Sequence, residues 1–190
     1  MAKKESNFVS MVTTLSVVAL VAAALLGGVY EATKEPIRLA DLRKRNEAIE
    51  AVVPAFDTVP SDQIVKYGMD GDTLILYPAV KNGIVVGTAV ETFTNNGFSG
   101  EFKLMVGFDN SKTIVDIAVL SHKETPGLGD KMERAKSDFH VQFMGKHPDE
   151  FMLAVKKDGG EVDAITASTI SSRAYCEAVE RAYEAWEATR

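Results

Sequence analysis

The chain has 190 residues, of which 46% are hydrophobic and 25% charged, and its formal net charge is -6. This composition is typical of a globular protein, and the length suits one domain with a short appendage. The acidic balance offers no basic surface, so nucleic-acid binding is not expected. The single cysteine, Cys176, cannot form an internal disulfide, and one cysteine with three scattered histidines argues against a structural zinc site.

Near its start the chain carries an uncharged apolar run, residues 8–30. At 1.5 Å rise per residue it would extend about 34 Å, enough to cross a hydrocarbon core of roughly 30 Å. Lys3 and Lys4 precede the run, and the positive-inside rule then favours a cytoplasmic N-terminus, residues 1–7. A cleaved signal peptide is the alternative, because alanines 22–24 resemble a cleavage site, but signal peptides usually have shorter apolar runs of roughly 7–15 residues.

A linking segment follows the predicted membrane span. Pro36 is expected to break the helix there. From Leu39 up to Pro54, apolar residues recur at helical spacing with charged residues between them, which predicts an amphipathic helix. We therefore assign residues 31–60 to a linking helix and residues 61–190 to an extracytoplasmic domain.

From Thr73 the hydrophobic pattern changes to the alternation typical of strands. Lys81-Asn82-Gly83 is predicted to form a hairpin turn, and residues 95–100 form a loop rich in turn formers. Such short connections predict a meander and hence an antiparallel sheet. The predicted strands are residues 73–80, 84–94, 101–108 and 113–121.

The remainder of the chain is predicted to be helical, with a turn at 158–160. Residues 130–139 and 148–155 are predicted to form short helices, and residues 170–187 form a clear helix. The predicted fold class is therefore α+β, with one N-terminal transmembrane helix, an antiparallel sheet and flanking helices. The apolar stripe of the last helix comprises Ile170, Ala174, Ala178, Ala182 and Trp186.

The first segment whose residues could bind a ligand is the loop at 121–131, which reads Ser-His-Lys-Glu-Thr-Pro-Gly-Leu-Gly-Asp-Lys. Pro126 and Gly127 suit the two central positions of a type II turn. Gly127 and Gly129 would let backbone amides approach a ligand closely, as a flavin requires along its polar edge. An ordinary strand-to-helix loop is the alternative, and local chemistry leaves both interpretations open.

The second segment, residues 163–173, enters the last helix and holds five Ser or Thr residues within positions 166–172. Ser168 or Thr169 would cap that helix. The first amides of a helix form an anion site, so a phosphate there would meet the backbone at 170–172 and the side chain of Arg173. A helix that is merely capped is the alternative.

At these two segments the chain resembles the FMN-binding G subunit of Rnf-type electron-transport complexes. It is similar also to the C subunit of the sodium-pumping NADH:quinone oxidoreductase. In that family a flavin transferase attaches FMN to a threonine within the pattern Asp-x-x-Ser/Thr-Gly-Ala-Thr. Asp163, Thr166 and Thr169 match this pattern, while Ala167 replaces the usual glycine and Ser168 the usual alanine.

The loop at 122–129 matches a second family hallmark completely, and residues 97–100 and the N-terminal span also resemble the family. The resemblance covers essentially the whole chain and implies an FMN joined to Thr169 by a phosphoester bond. The other cofactor-binding residues that it implies are Thr166, Ser168, Ile170, Ser171, Ser172, Glu124, Thr125, Gly127, Leu128, Gly129 and Lys131.

The resemblance implies an electron-carrier subunit of a membrane-bound, ion-translocating ferredoxin:NAD oxidoreductase. Its domain would lie on the periplasmic side of the cell inner membrane, with the other membrane subunits as partners and the flavin transferase as a partner during maturation. One alternative is a membrane-anchored extracytoplasmic ligand-binding module of the same fold without redox activity. Another is a hydrolase with a Ser or Thr nucleophile, which would require His122, His140 or His147 beside Thr169 as base.

Overall fold

The computed structural model describes residues 7–69 and 71–190, so the predicted cytoplasmic N-terminus lies outside the described residues except for Asn7. The chain divides into two compact units, Met1–Arg43 and Lys44–Arg190. The helices are α1 (Phe8–Val52) and α2 (Thr169–Ala188), and the strands are β1 (Val65–Met69), β2 (Asp72–Lys81), β3 (Ile84–Gly97), β4 (Gly100–Asp109) and β5 (Ile114–Ser121).

From Phe8 onward, the described part of the first unit belongs to α1. Its apolar part is long and apolar enough to cross a membrane, and none of that stretch is buried inside the protein. Its Thr13 and Thr14 hydroxyls donate to the carbonyls of Val9 and Ser10, which satisfies these polar groups within the helix itself. This unit fits a single-pass membrane protein.

The prediction that Pro36 ends the first helix is wrong, because α1 continues through this residue to Val52. Proline removes one backbone hydrogen bond and crowds one carbonyl, which is a local cost of about 3 kcal/mol. Helical hydrogen bonds on both sides of the proline can offset that cost in a helix of 45 residues. An ion pair between Glu35 and Arg38 at 2.5 Å also spans the turn that contains Pro36.

The five strands form one sheet in the order β1-β2-β3-β4-β5. Every neighbouring pair is antiparallel, so the predicted meander and the α+β class are confirmed. Asn82 and Gly83 have φ values of 51° and 79°, as a tight type I′ hairpin requires. The predicted loop at 95–100 is too long, because β3 runs to Gly97 and pairs there with Gly100, which leaves Phe98 and Ser99 as the turn.

The sheet buries both of its faces, and the alternation along β4 shows how. Phe102, Leu104 and Phe108 point into the larger core, which includes the buried face of α2. Met105 belongs to the second core, which contains Ala48, Ile49 and Val52 from the end of α1. The last turns of α1 therefore pack on one face of the sheet and α2 packs on the other.

The helices predicted at 130–139 and 148–155 are not formed. The chain there makes turns and short 3-10 segments at Gly129–Met132, Phe139–Phe143 and Lys156–Asp158. Ser137 explains part of the difference, because its hydroxyl bonds the Lys131 carbonyl and accepts the Phe139 N–H, which competes with helical pairing. The apolar residues that suggested helices insert into the larger core one by one: Met132, Phe139, Phe143, Phe151 and Val155.

Helix α2 agrees with the prediction for the last helix. Ala174, Ala178 and Ala182 are buried, and the Ala178 carbonyl accepts a hydrogen bond from the Thr92 hydroxyl of β3 at 3.0 Å. Ile170 differs from the prediction, since 48% of it is exposed and it does not join the buried stripe. It lies in the first turn of α2, which forms part of the wall of a cavity.

Candidate functional site

Both segments that the sequence singles out line one cavity. Its volume is about 320 Å³, within the usual range for small-molecule sites. Three parts of the chain form its walls: the β3–β4 hairpin tip, the loop after β5, and the entrance to α2. The lining residues are Phe98, Glu124, Thr125, Leu128, Gly129, Ala167, Ser168, Thr169, Ile170 and Ser171.

The loop after β5 contains the expected type II turn. The Leu128 N–H donates to the Thr125 carbonyl at 3.1 Å, which closes a four-residue turn with Pro126 and Gly127 at its centre. Gly127 has φ 80°, the left-handed conformation that this turn requires at its third residue. The turn directs Thr125 and Leu128 toward the cavity, whereas Gly127 itself does not line it.

The entrance to α2 presents unpaired backbone donors. The first hydrogen bond of the helix runs from the Ser172 N–H to the Ser168 carbonyl at 3.0 Å. The N–H groups of Thr169, Ile170 and Ser171 therefore have no partner in the helical ladder. Ser168 occupies the capping position, yet within the described residues its side chain caps none of them. These amides and the positive end of the helix dipole can bind an anion.

Ser172 and Arg173 have structural roles rather than places in the cavity. The buried Ser172 hydroxyl accepts the Ile165 N–H and donates to the Ser168 carbonyl, both at 2.9 Å, which fixes the turn before α2. Arg173 forms two bonds to the Asp158 carboxylate, at 2.5 Å and 2.7 Å. The Asp158 carboxylate therefore competes with any phosphate for Arg173, which was expected to help to bind one. Its guanidinium in turn lowers the pKa of Asp158.

Ala167 adopts a left-handed backbone with φ 63°. L-residues with a Cβ are destabilised in this conformation by roughly 1–2 kcal/mol, whereas glycine is not. The backbone at position 167 therefore favours glycine, which is the residue that the family pattern has there. Ala167 keeps the same turn at an energetic cost.

We expect Ala167→Gly to stabilise the domain by about 1 kcal/mol, since relief of the left-handed strain exceeds the added freedom of the unfolded chain. Chemical denaturation of the full chain in detergent measures the change. Ala164→Gly, in the same segment at an ordinary φ, is the matched control and should destabilise by about 0.5–1 kcal/mol. Equal effects of the two substitutions would show that the conformation of Ala167 carries no strain.

Beside the cavity lies a chain of polar groups that begins at His122. Its Nδ1 accepts the Glu124 N–H at 3.0 Å, and its Nε2 lies 2.5 Å from Glu133 Oε1. An Nδ1 that accepts carries no proton, so the ring donates through Nε2 to the Glu133 carboxylate. This bond lowers the pKa of Glu133. Lys136 extends the group by bridging Glu133 and the buried Asp130, at 3.4 Å and 2.9 Å.

The structure brings together eight of the twelve residues predicted to bind a cofactor. Thr166, Ser172, Gly127 and Lys131 do not line the cavity: Thr166 is exposed, Ser172 is buried below it, and Gly127 serves the turn. Two residues that line it were not predicted, Phe98 and Ala167. Phe98 is the more informative of the two, because it is an aromatic side chain that is 67% exposed at a hairpin tip.

The hydrolase alternative finds no base in this arrangement. All three histidines lie in the described part of the chain, and none lines the cavity. His122 is committed to Glu133, and burial lowers the pKa of His140. Cys176 is buried as well, and burial raises the pKa of its thiol to about 12, so it is unreactive.

Comparison with known proteins gives two findings for this chain. The family model described as FMN-binding domain matches residues 97–184, which contain all three walls of the cavity. Relatives named as the G subunit of an ion-translocating oxidoreductase complex match over most of their length. The protein from Vibrio vulnificus (strain YJ016) is 33% identical over 183 residues, which cover 90% of this chain and 85% of that protein.

Two further relatives with the same name give the same result. The protein from Shewanella piezotolerans is 32% identical and covers 88% of this chain and 84% of its own length. The protein from Vibrio cholerae serotype O1 (strain M66-2) is 33% identical and covers 90% of this chain and 86% of its own length. A match over 88–90% of the chain extends beyond the domain into α1.

Proposed function

This chain belongs to the family of G subunits of ion-translocating oxidoreductase complexes, and on that premise we propose that it is a membrane-anchored electron carrier with one FMN esterified to Thr169. The observation that carries the proposal is the position of Thr169. It is half-buried, it lines the cavity, and it is the first residue of α2. A phosphate on its hydroxyl would lie beside the free amides of the helix entrance.

The cavity suits the chemical parts of FMN. A phosphodiester keeps one negative charge, and this charge is favourable beside the amides of Ile170 and Ser171 and the helix dipole. The walls that would receive the isoalloxazine ring combine the exposed side chains of Phe98 and Leu128 with the polar Thr125. Apolar surfaces with a few polar groups along one edge match a ring that is apolar on its faces and polar at its rim.

When bound, FMN supplies reversible one- and two-electron exchange, and the protein supplies binding, orientation and electrostatics. The ester bond to Thr169 would form between the threonine oxygen and the FMN phosphorus, with the net loss of one water. A non-covalent flavin that dissociated outside the cytoplasm could not readily be recovered, and the covalent bond prevents that loss. The anchor would hold the domain near the other subunits of the complex and raise the effective concentration for electron exchange.

Fluorescence of the denatured protein tests this function. Full-length protein purified from cells that contain a flavin transferase is separated by denaturing electrophoresis and illuminated in the near ultraviolet. We expect a fluorescent band at the mass of this chain, because an ester-bound flavin survives denaturation whereas a dissociable one does not. A ligand-binding module without redox activity would give a dark band and no flavin absorbance in the visible spectrum of the native protein.

We propose further that the domain lies on the periplasmic side of the inner membrane, with Lys3 and Lys4 on the cytoplasmic side. In a membrane-impermeant maleimide assay on cells with a permeabilised outer membrane, we expect Glu184→Cys to be labelled and Ser6→Cys to be labelled only after lysis. The native Cys176 gives no background, because it is 2% exposed and its thiol is protonated. Labelling of Ser6→Cys before lysis, without labelling of Glu184→Cys, would show the opposite orientation.

A further inference from the structure

The three walls of the cavity meet at the side chain of Glu124, which is only 5% exposed. Its Oε1 accepts the backbone N–H of Ser99 at 3.1 Å, from the hairpin tip. Its Oε2 accepts the hydroxyl of Ser171 at 2.9 Å, from the first turn of α2. Glu124 itself belongs to the loop after β5, so one carboxylate joins segments that are 25 and 47 residues away in the sequence.

Two glycines make room for this carboxylate. A Cβ on Gly97 would come within 2.7 Å of Glu124 Oε1, and a Cβ on Gly129 would come within 2.5 Å of Glu124 Oε2 and 2.8 Å of the Ser171 hydroxyl. Real Cβ atoms do not approach other atoms so closely. Absence of a side chain at both positions thus lets the hairpin and the loop close around Glu124.

The partners of Glu124 are uncharged. Among residues 7–69 and 71–190, no lysine, arginine or histidine nitrogen forms an ion pair with it. Its carboxylate accepts hydrogen bonds from an amide and a hydroxyl, and its own N–H donates to the His122 ring. A carboxylate at the cavity wall without a counter-cation projects its charge onto whatever occupies the cavity.

We propose that Glu124 is a positioning residue with two consequences: it holds the hairpin tip and the helix entrance together, and its charge lowers the reduction potential of the bound flavin. The second consequence rests on the proposed FMN site. Reduction adds negative charge to the flavin, and a fixed negative charge close by disfavours it, most strongly where burial keeps water away. The reduced flavin is therefore a stronger reductant beside Glu124 than it would be in an uncharged site.

Glu124→Gln separates charge from shape. The glutamine carbonyl can still accept the Ser99 N–H, and its amide can donate to the Ser171 hydroxyl, so the walls stay joined. We expect a more positive midpoint potential in spectroelectrochemical titration of the flavin that the full chain carries. At a fixed applied potential the ratio of reduced to oxidised flavin should rise about ten-fold.

Glu91→Gln is the matched control, because it removes another largely buried carboxylate. Glu91 lies on the opposite face of the sheet, where it accepts the Tyr77 hydroxyl at 3.0 Å and pairs with Arg45 at 2.9 Å. Its loss should leave the flavin potential unchanged. An unchanged potential in Glu124→Gln, or an equal shift in Glu91→Gln, would overturn the electrostatic role.

The role of Glu124 in holding the hairpin tip and the helix entrance together, its holding role, can be measured without flavin. Glu124→Ala leaves the Ser99 N–H without its acceptor, so hydrogen exchange at that amide should accelerate at least about ten-fold, while Glu124→Gln should keep the wild-type rate. An unchanged rate in Glu124→Ala would overturn this role. A wild-type chain that lacks flavin but shows the expected exchange pattern would refute the proposed FMN attachment and leave the holding role supported.

Discussion

Thr169→Ala should abolish covalent flavin attachment completely while the domain stays folded. The substitution removes the only atom that could carry the phosphoester at this position. The structural loss is small, because Thr169 is half-buried at the first position of α2 and neighbouring Ser168 occupies the capping position. Substitutions of this kind usually change stability by about 0.5 kcal/mol. In-gel fluorescence measures attachment, and the denaturation midpoint measures folding.

Thr166→Ala is the matched control for this result. It removes a threonine hydroxyl three positions earlier in the same segment, at an exposed residue that does not line the cavity. We expect Thr166→Ala to keep covalent flavin, because the proposed acceptor hydroxyl is intact. A fluorescent Thr169→Ala protein would place the acceptor on another hydroxyl. Because Thr166 matches the attachment pattern, a dark Thr166→Ala protein would show a role in recognition by the transferase, and peptide mapping of the wild type would then locate the acceptor.

Gly107→Ala should cost about 3 kcal/mol of the free energy of unfolding and deplete the folded protein. Gly107 lies on β4 where the end of α1 packs against the sheet. An added Cβ would overlap the backbone carbonyl of Val52 and approach its Cβ at 2.9 Å. Backbone atoms cannot rotate away as a flexible side chain can, so the helix end and the strand would have to separate. Chemical denaturation of the full chain in detergent measures the loss.

Gly68→Ala is the control for Gly107→Ala. It places the same methyl group on the edge strand β1, where no atom of the described residues lies within 4 Å of it. We expect its effect on the free energy of unfolding to stay within about 0.5 kcal/mol. Similar stabilities of the two variants would contradict the close packing of α1 on the sheet, because the steric difference between the two positions would then have no energetic effect.

The sequence was informative where structure depends on neighbouring residues. The Asn82-Gly83 turn requires two residues that tolerate positive φ, and the sequence supplies them at the right place between alternating strands. The same is true of Pro126-Gly127, whose type II turn follows from local conformational preference. The apolar periodicity of the last helix predicted α2 to within one residue at each end.

The sequence was less informative where contacts between distant residues determine the local structure. Strand β1 is a short, half-exposed edge strand whose partner fixes its conformation, and Gly68 weakens its pattern. Residues 130–155 carry apolar side chains at spacings that suggest helices, but each enters the core separately. The contact of Glu124 with Ser99 and Ser171 bridges three segments. No local pattern predicts such a contact, so the place of Phe98 in the cavity and the bridging contacts of Glu124 became visible only in the fold.

Mass spectrometry of the intact chain, followed by peptide mapping, tests the central claim most directly. The protein should be purified from membranes of a cell that contains a flavin transferase. We expect the mass of the chain plus one FMN less one water, with the whole increment on the peptide that contains Thr169. An unmodified mass, or an increment located on Thr166 or Ser168, would contradict it.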